Sequence, residues 1–90
     1  MGCVKFLVEL YLSTDGTDAA AATAARARAA ADALARQGAP VRFLRMLYVP
    51  DDETCFLLYE AASAELAGEA SRRAQIAYER VLEAVEGGDL

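Results

Sequence analysis

The sequence contains no histidine and no tryptophan, and only two cysteines and two prolines in 90 residues. Without histidine, neither a Ser-His-Asp nor a Cys-His catalytic arrangement can be built. Any general acid or base must therefore be a carboxylate, a tyrosine or a thiol. Apart from the pair Gly87-Gly88, the glycines are isolated along the chain, and they form no phosphate-binding loop. These absences exclude the common nucleophilic hydrolases and the nucleotide-binding motifs.

The cysteine content and the net charge indicate the cellular compartment and the classes of partner to expect. Two cysteines, Cys3 and Cys55, are too few for a disulfide scaffold, so we expect free thiols and a cytoplasmic protein. No apolar run approaches the ~18–20 residues of a membrane span, and no basic signal-peptide region begins the chain. The net charge of −5 disfavours nucleic acid and anionic membrane as partners.

Chain length predicts one small domain spanning residues 1–90. The apolar fraction of 56% includes 21 alanines, which each bury little area. The large apolar side chains cluster in residues 4–12, 41–49 and 56–59, so these segments must supply most of the core. A chain this short builds only a modest core, and self-association commonly supplements it.

Residues 3–12 alternate with a period of two, which predicts a strand. Its even positions are all apolar and should pack on helices. Its odd positions carry both polar and apolar side chains, which indicates a surface partly exposed to water or the lining of a cavity. The odd face carries Lys5, Leu7, Glu9 and Tyr11.

Two helices are expected. Turn residues at 13–17 precede the first, which we place at residues 18–37, ending before Gly38. Ser63 is the predicted N-cap of the second, at residues 64–74. Each has an inward stripe of mostly small side chains: Ala20, Ala24, Ala27, Ala31 and Leu34 in the first, and Leu66, Ala67, Ala70 and Ala74 in the second.

Residues 41–49 and 54–60 predict a hairpin joined by a turn at 50–53. A connection with an even number of residues places Phe43, Arg45 and Leu47 on one face with Phe56, Leu58 and Glu60. The other face then carries Leu44, Met46 and Tyr48 beside Cys55, Leu57 and Tyr59. A one-residue bulge would exchange the two sets.

The element order is β-α-β-β-α, followed by a segment at 80–86 that fits either a helix or a fourth strand. This order predicts an α+β, ferredoxin-like fold, with a four-stranded antiparallel sheet and two helices on one face. The other face would expose large apolar side chains. We therefore expect a homodimer in which two sheets form an α+β barrel around a cavity.

At this point the sequence resembles a small, mostly actinobacterial family of ferredoxin-like domains, typified by a nickel-binding protein and otherwise of unknown function. The resemblance covers nearly the whole chain and implies a homodimer, a turn near 75–79 and a final strand. The segments that carry it are FLVELYL (6–12), RFLR (42–45), VPDDETCF (49–56), YEAASAE (59–65), RRA (72–74) and RVLEAV (80–85).

A cavity between two such sheets would combine apolar walls with a few polar groups, which suits a small, mostly apolar organic ligand. The predicted ligand-binding residues are Leu7, Phe43, Leu47, Phe56 and Leu58. An alternative is a cyclase, isomerase or monooxygenase that needs no cofactor, with catalytic candidates Glu9, Arg45, Glu60 and Tyr11. Equally, the same charged side chains would serve as cross-strand or intersubunit ion pairs.

The other alternative is nickel or other metal binding, as the family resemblance implies. Imidazole is a usual nickel ligand, and its absence leaves carboxylates, thiolates or backbone groups. Asp51, Asp52 and Glu53 form the obvious carboxylate cluster, but a tight turn favours their interpretation as turn formers and solvated charges. We therefore predict no metal site and no cofactor.

Overall fold

A computed structural model describes residues 3–13 and 17–85. These residues form a four-stranded antiparallel sheet in the order β2-β3-β1-β4, together with two helices. The elements are β1 (Val4–Tyr11), α1 (Thr17–Arg36), β2 (Val41–Val49), a 3-10 turn (Pro50–Asp52), β3 (Thr54–Ala61), α2 (Ala64–Arg73) and β4 (Arg80–Ala84). The predicted ferredoxin-like α+β fold is confirmed.

Local signals in the sequence set several of these boundaries. The Ser63 side chain accepts a hydrogen bond from the backbone N–H of Leu66, as expected of an N-cap. Gly38 has a φ of 95° immediately after α1, a conformation that suits glycine at a helix end. The predicted turn at 13–17 falls partly on residues 14–16, and the end of the 80–86 segment on residue 86, outside the described residues.

The segment at 80–86 is a strand where the structure describes it. Gln75 adopts a φ of 62° after α2, and its backbone N–H donates to the carbonyl oxygen of Arg72. The chain then returns to pair antiparallel with β1, from Glu9 opposite Arg80 to Lys5 opposite Ala84. The periodicity of the sequence alone is compatible with a helix here, and pairing with β1 stabilises the strand instead.

Both helices pack on one face of the sheet and enclose the core. Val8, Cys55, Leu57 and Tyr59 are fully buried on that face. The predicted helix stripes are buried at Ala20, Ala27, Ala31, Leu34, Ala67, Ala70 and Ala74, while Ala24 and Leu66 are only half-buried. Small side chains let the helices approach the sheet closely, which is why an alanine-rich chain still packs.

A bulge in β2 divides the hairpin register. Arg45 lies opposite Leu58 and Leu47 opposite Phe56, as an even connection predicts. Beyond the bulge between Phe43 and Arg45, the faces exchange, and Phe43 lies opposite Tyr59. Placing Phe43 on the face with Arg45 was therefore wrong, because the extra residue turns its side chain into the core.

Phe43 is a core residue beneath the helices. Its ring meets that of Tyr59 edge-on, with centroids 5.6 Å apart, and the Arg28 guanidinium lies 5.0 Å from the Phe43 centroid on the other side. The molecule measures only 19 Å in its thinnest direction, which accommodates one sheet and one helix layer. The described residues thus leave the second face of the sheet uncovered.

Candidate functional site: the open sheet face

The uncovered face of the sheet, here called the open face, is the candidate site. Strand pairing aligns its side chains in rows that cross all four strands or, at one end, three. In order from β2 to β4, the rows are Arg42, Glu60, Lys5 and Ala84; Arg45, Leu58, Leu7 and Leu82; Leu47, Phe56, Glu9 and Arg80; and Val49, Thr54 and Tyr11.

The middle of the open face is apolar. Leu58 is only 8% exposed, and Leu7, Phe56 and Leu82 are half-buried. Leu47, towards the β2 edge, is 57% exposed. These side chains form one continuous apolar surface because antiparallel neighbours on the same face lie in direct contact distance.

A charged row bounds this apolar surface at one end. The Glu60 carboxylate accepts a hydrogen bond from Arg42 at 3.0 Å and lies 3.8 Å from the Lys5 ammonium. The even-connection register placed Arg45 and Glu60 on one face as candidates for cross-strand ion pairs. The bulge instead places Arg42 directly opposite Glu60, and the ion pair forms there.

A second charged group lies near the other end, on β1 and β4. Arg80 donates from Nε to Glu9 Oε1 at 2.7 Å, and this contact raises the pKa of the guanidinium. The backbone N–H of Glu79 donates to the Glu9 carbonyl oxygen at 2.7 Å, which fixes the approach to β4. A cleft of about 470 Å³ opens here, lined by Glu9, Tyr11, Glu79 and Arg80.

The four catalytic candidates do not converge. Glu9 and Tyr11 line the same cleft, but Glu60 pairs with Lys5, four residues along β1 from Glu9. At the ~3.3 Å rise of a strand, that separation is about 13 Å. Arg45 lies between them on β2. Glu9 and Glu60 each form a cross-strand ion pair with an arginine, and a catalytic role for the four candidates stays a prediction.

Most of the predicted ligand-binding residues do lie together. Leu7, Leu47, Phe56 and Leu58 lie together on the open face, whereas Phe43 does not. The sequence interpretation missed Arg42, Glu79, Arg80 and Leu82. Arg80 and Leu82 belong to the segment at 80–86, whose periodicity fits a helix as well as a strand, and Glu79 belongs to the turn before it. The family resemblance implies a final strand there but does not give the register that pairs Arg80 with Glu9.

The potential metal ligands are dispersed. In residues 3–13 and 17–85, no group of three or more His, Cys, Asp or Glu side chains could hold a metal ion. Asp51 and Asp52 lie exposed in the 3-10 turn, followed by Glu53 in a left-handed conformation with a φ of 52°. Cys55 is buried in the core, where desolvation raises its pKa to about 11, and Cys3 is exposed.

Comparison with known proteins gives a family and a fold. The family model described as nickel responsive protein SCO4226-like matches residues 6–84. The crystal structure of SCO4226 from Streptomyces coelicolor A3(2) superposes with a TM-score of 0.68 at 20% sequence identity. The superposition covers 92% of this chain and 98% of that one. No curated protein matches. Neither described helix is long and apolar enough to cross a membrane.

Proposed function

We propose that this chain, which belongs to the nickel responsive protein SCO4226-like family, is a dimeric small-molecule-binding domain. Two copies face each other through their open faces and enclose a small, mostly apolar organic molecule. The observation that carries this proposal is the apolar middle of the open face, with Leu58, Leu7 and Phe56 at its centre and an ion-paired group on either side of it.

The occupant of this face is a second copy because the face has the layout of an interface. Its apolar side chains are central, and its ion pairs lie towards the two ends of the sheet, while Arg45 flanks the apolar row at the β2 edge. An apolar core inside a polar rim is the usual anatomy of a protein–protein interface. A 90-residue chain with a core of one sheet and two small-residue helices also gains stability from such a contact.

Space for a ligand between the two copies would come from a recess that each open face has near one end. Each copy already contributes the cleft of about 470 Å³ beside Glu9 and Arg80, at the end of the apolar surface. Binding sites for small organic molecules combine mostly apolar walls with a few polar groups. Here the polar lining of the cleft adjoins the apolar side chains of Phe56 and Leu7. The long charged side chains at the ends of the open face would close the rim of the cavity.

Nickel binding is not part of the proposal, although the family description names a nickel response. The donor set does not fit the ion, because the chain has no histidine and its described carboxylates and thiols form no group of three. The two carboxylates of the open face, Glu9 and Glu60, are each bound to arginine. We therefore assign no step to a metal.

Two charge insertions test the dimer. Leu47 is 57% exposed on the open face, and Val85 is 87% exposed beyond the end of β4, so glutamate at either position leaves the core intact. In sedimentation equilibrium, wild type and Val85→Glu should be dimers, and Leu47→Glu should be monomeric. Its thermal midpoint should also become independent of protein concentration. A monomeric wild type, or a dimeric Leu47→Glu, would overturn the proposed interface.

A further inference from the structure

We infer that the enclosed ligand is an amphipathic organic anion, a carboxylate or sulfonate with an apolar body, and that Arg45 binds its charged group. This inference rests on the proposed function and names the chemical class of its ligand. It comes from a contrast between the charge of the open face and the charge of the whole chain.

The open face is positive in an acidic protein. Its paired rows carry four cations and two carboxylates, a net charge of +2, or +1 with Glu79 in the adjoining cleft, whereas the chain carries −5. The cations are Lys5, Arg42, Arg45 and Arg80, and the carboxylates are Glu9 and Glu60. Pressing two such faces together would bring like charges together at reduced solvent exposure, which costs free energy unless an anion compensates them.

Arg45 is the cation that such an anion would meet. Glu60 binds both Arg42 and Lys5, and Glu9 binds Arg80. Arg45, by contrast, has no ion pair or side-chain hydrogen bond to any residue in the ranges 3–13 and 17–85. Its guanidinium therefore keeps its full set of donors for a ligand.

The position of Arg45 explains why the ligand would also have an apolar body. The residue lies directly opposite Leu58, in the row that continues to Leu7 and Leu82 across the sheet. The bulge between Phe43 and Arg45 brings Arg42, instead of Phe43, opposite Glu60, so the charged row ends on Arg42 and Arg45 stays in the apolar row. A ligand with its anionic group on Arg45 would thus lay its apolar body over leucine side chains. The paired donors of a guanidinium suit two oxygens of a carboxylate or of a tetrahedral oxyanion.

A matched pair of fluorescent probes tests this inference. 1-Anilinonaphthalene-8-sulfonate carries a sulfonate, and N-phenyl-1-naphthylamine has the same ring system without it. Fluorescence titration of the wild-type dimer should give at least about tenfold tighter binding of the sulfonate, in line with a charge-assisted hydrogen bond. Arg45→Gln should reduce that preference to about twofold or less. Arg36→Gln, an exposed arginine in the last turn of α1, should retain it.

The outcomes separate the two proposals. Equal affinity for both probes in the wild type would overturn the anionic ligand while supporting an apolar site. A sulfonate preference that survives Arg45→Gln would overturn the role of Arg45. If the wild-type dimer binds neither probe, the proposed ligand-binding function fails, and the inference fails with it. Circular dichroism of both variants checks that each keeps the wild-type fold.

Discussion

Gly68 and Tyr78 compete for one space: a β-carbon at Gly68 would lie 2.6 Å from the Tyr78 hydroxyl. Gly68 is buried in α2, and Tyr78 lies in the connection to β4, where its hydroxyl accepts a hydrogen bond from Arg72 Nη1 at 2.9 Å. The missing side chain lets this connection cross the helix closely. Since β4 carries Arg80, the contact also helps to position the cleft beside Glu9.

Gly68→Ala should therefore act through Tyr78. Alanine raises helix propensity by roughly 1 kcal/mol, but the tyrosine must move and gives up its contact with Arg72. Tyr78→Phe removes the hydroxyl oxygen, which is the atom closest to the added β-carbon. Gly68→Ala should therefore destabilise this variant less than it destabilises wild type. Urea unfolding of the four proteins in this double-mutant cycle should give a coupling of about 1 kcal/mol. Simple additivity would mean that the two residues do not compete.

Ser71 should matter for stability through Tyr59. Their hydroxyls are hydrogen bonded at 3.2 Å inside the core, and both residues have no exposed surface. Ser71→Ala should lower the free energy of unfolding by about 1–3 kcal/mol, because it leaves the Tyr59 hydroxyl buried without this partner. In the Tyr59→Phe background the same change should cost clearly less. An equal cost in both backgrounds, measured by urea unfolding, would contradict this interpretation.

The two thiols should differ sharply in reactivity. Cys3 is exposed, whereas Cys55 is buried and has its pKa raised to about 11 by desolvation. At pH 8, iodoacetamide should label folded wild type once, and Cys3→Ser not at all, until urea exposes Cys55. Mass spectrometry counts the labels. Labelling of folded Cys3→Ser at the rate of an exposed thiol would contradict the burial of Cys55.

Stability should fall in alkaline solution because of the same thiol. In the unfolded chain Cys55 loses its proton near its ordinary pKa of 9.0, but in the folded protein it keeps the proton until about pH 11. The unfolded state thus binds fewer protons across this window, and the free energy of unfolding decreases as pH rises from 9 to 11. Burial also raises the pKa of Tyr59, which adds to the decrease.

Cys55→Ala isolates the contribution of the thiol to this pH dependence. Its free energy of unfolding should fall less steeply than that of wild type between pH 9 and 10, whatever its value at pH 7. Cys3→Ala, at an exposed position, serves as the control and should follow the wild-type slope. Parallel slopes in Cys55→Ala and wild type would mean that another group titrates in this range.

Much of the fold followed from the sequence because local signals agreed with the tertiary arrangement. Alternation from Phe6 to Leu10 predicted the buried face of β1, and Ser63 marked the start of α2. The bulge could not be predicted, because the order of apolar and polar residues in β2 is compatible both with a regular strand and with a strand that contains one extra residue. Phe43 was therefore assigned to the wrong face, although Arg45 and Leu47 were placed correctly.

The candidate site was harder to predict, since its polar pairs join distant parts of the chain. Glu9 was recognisable as a carboxylate on a mixed face, but its partner Arg80 is 71 residues away. Nothing local in residues 80–86 distinguishes a strand from a helix, so the sequence could not bring these two side chains together. The Arg42–Glu60 pair depends on the bulge in the same way.

Native mass spectrometry of the untagged protein, purified without any added ligand, tests the central claim most directly. Two open faces enclosing an apolar cavity predict a dimer that carries a small organic molecule, released as an anion when the complex is dissociated. A bare monomer at micromolar concentration would contradict the claim, because the open face would then have no second copy to complete a site.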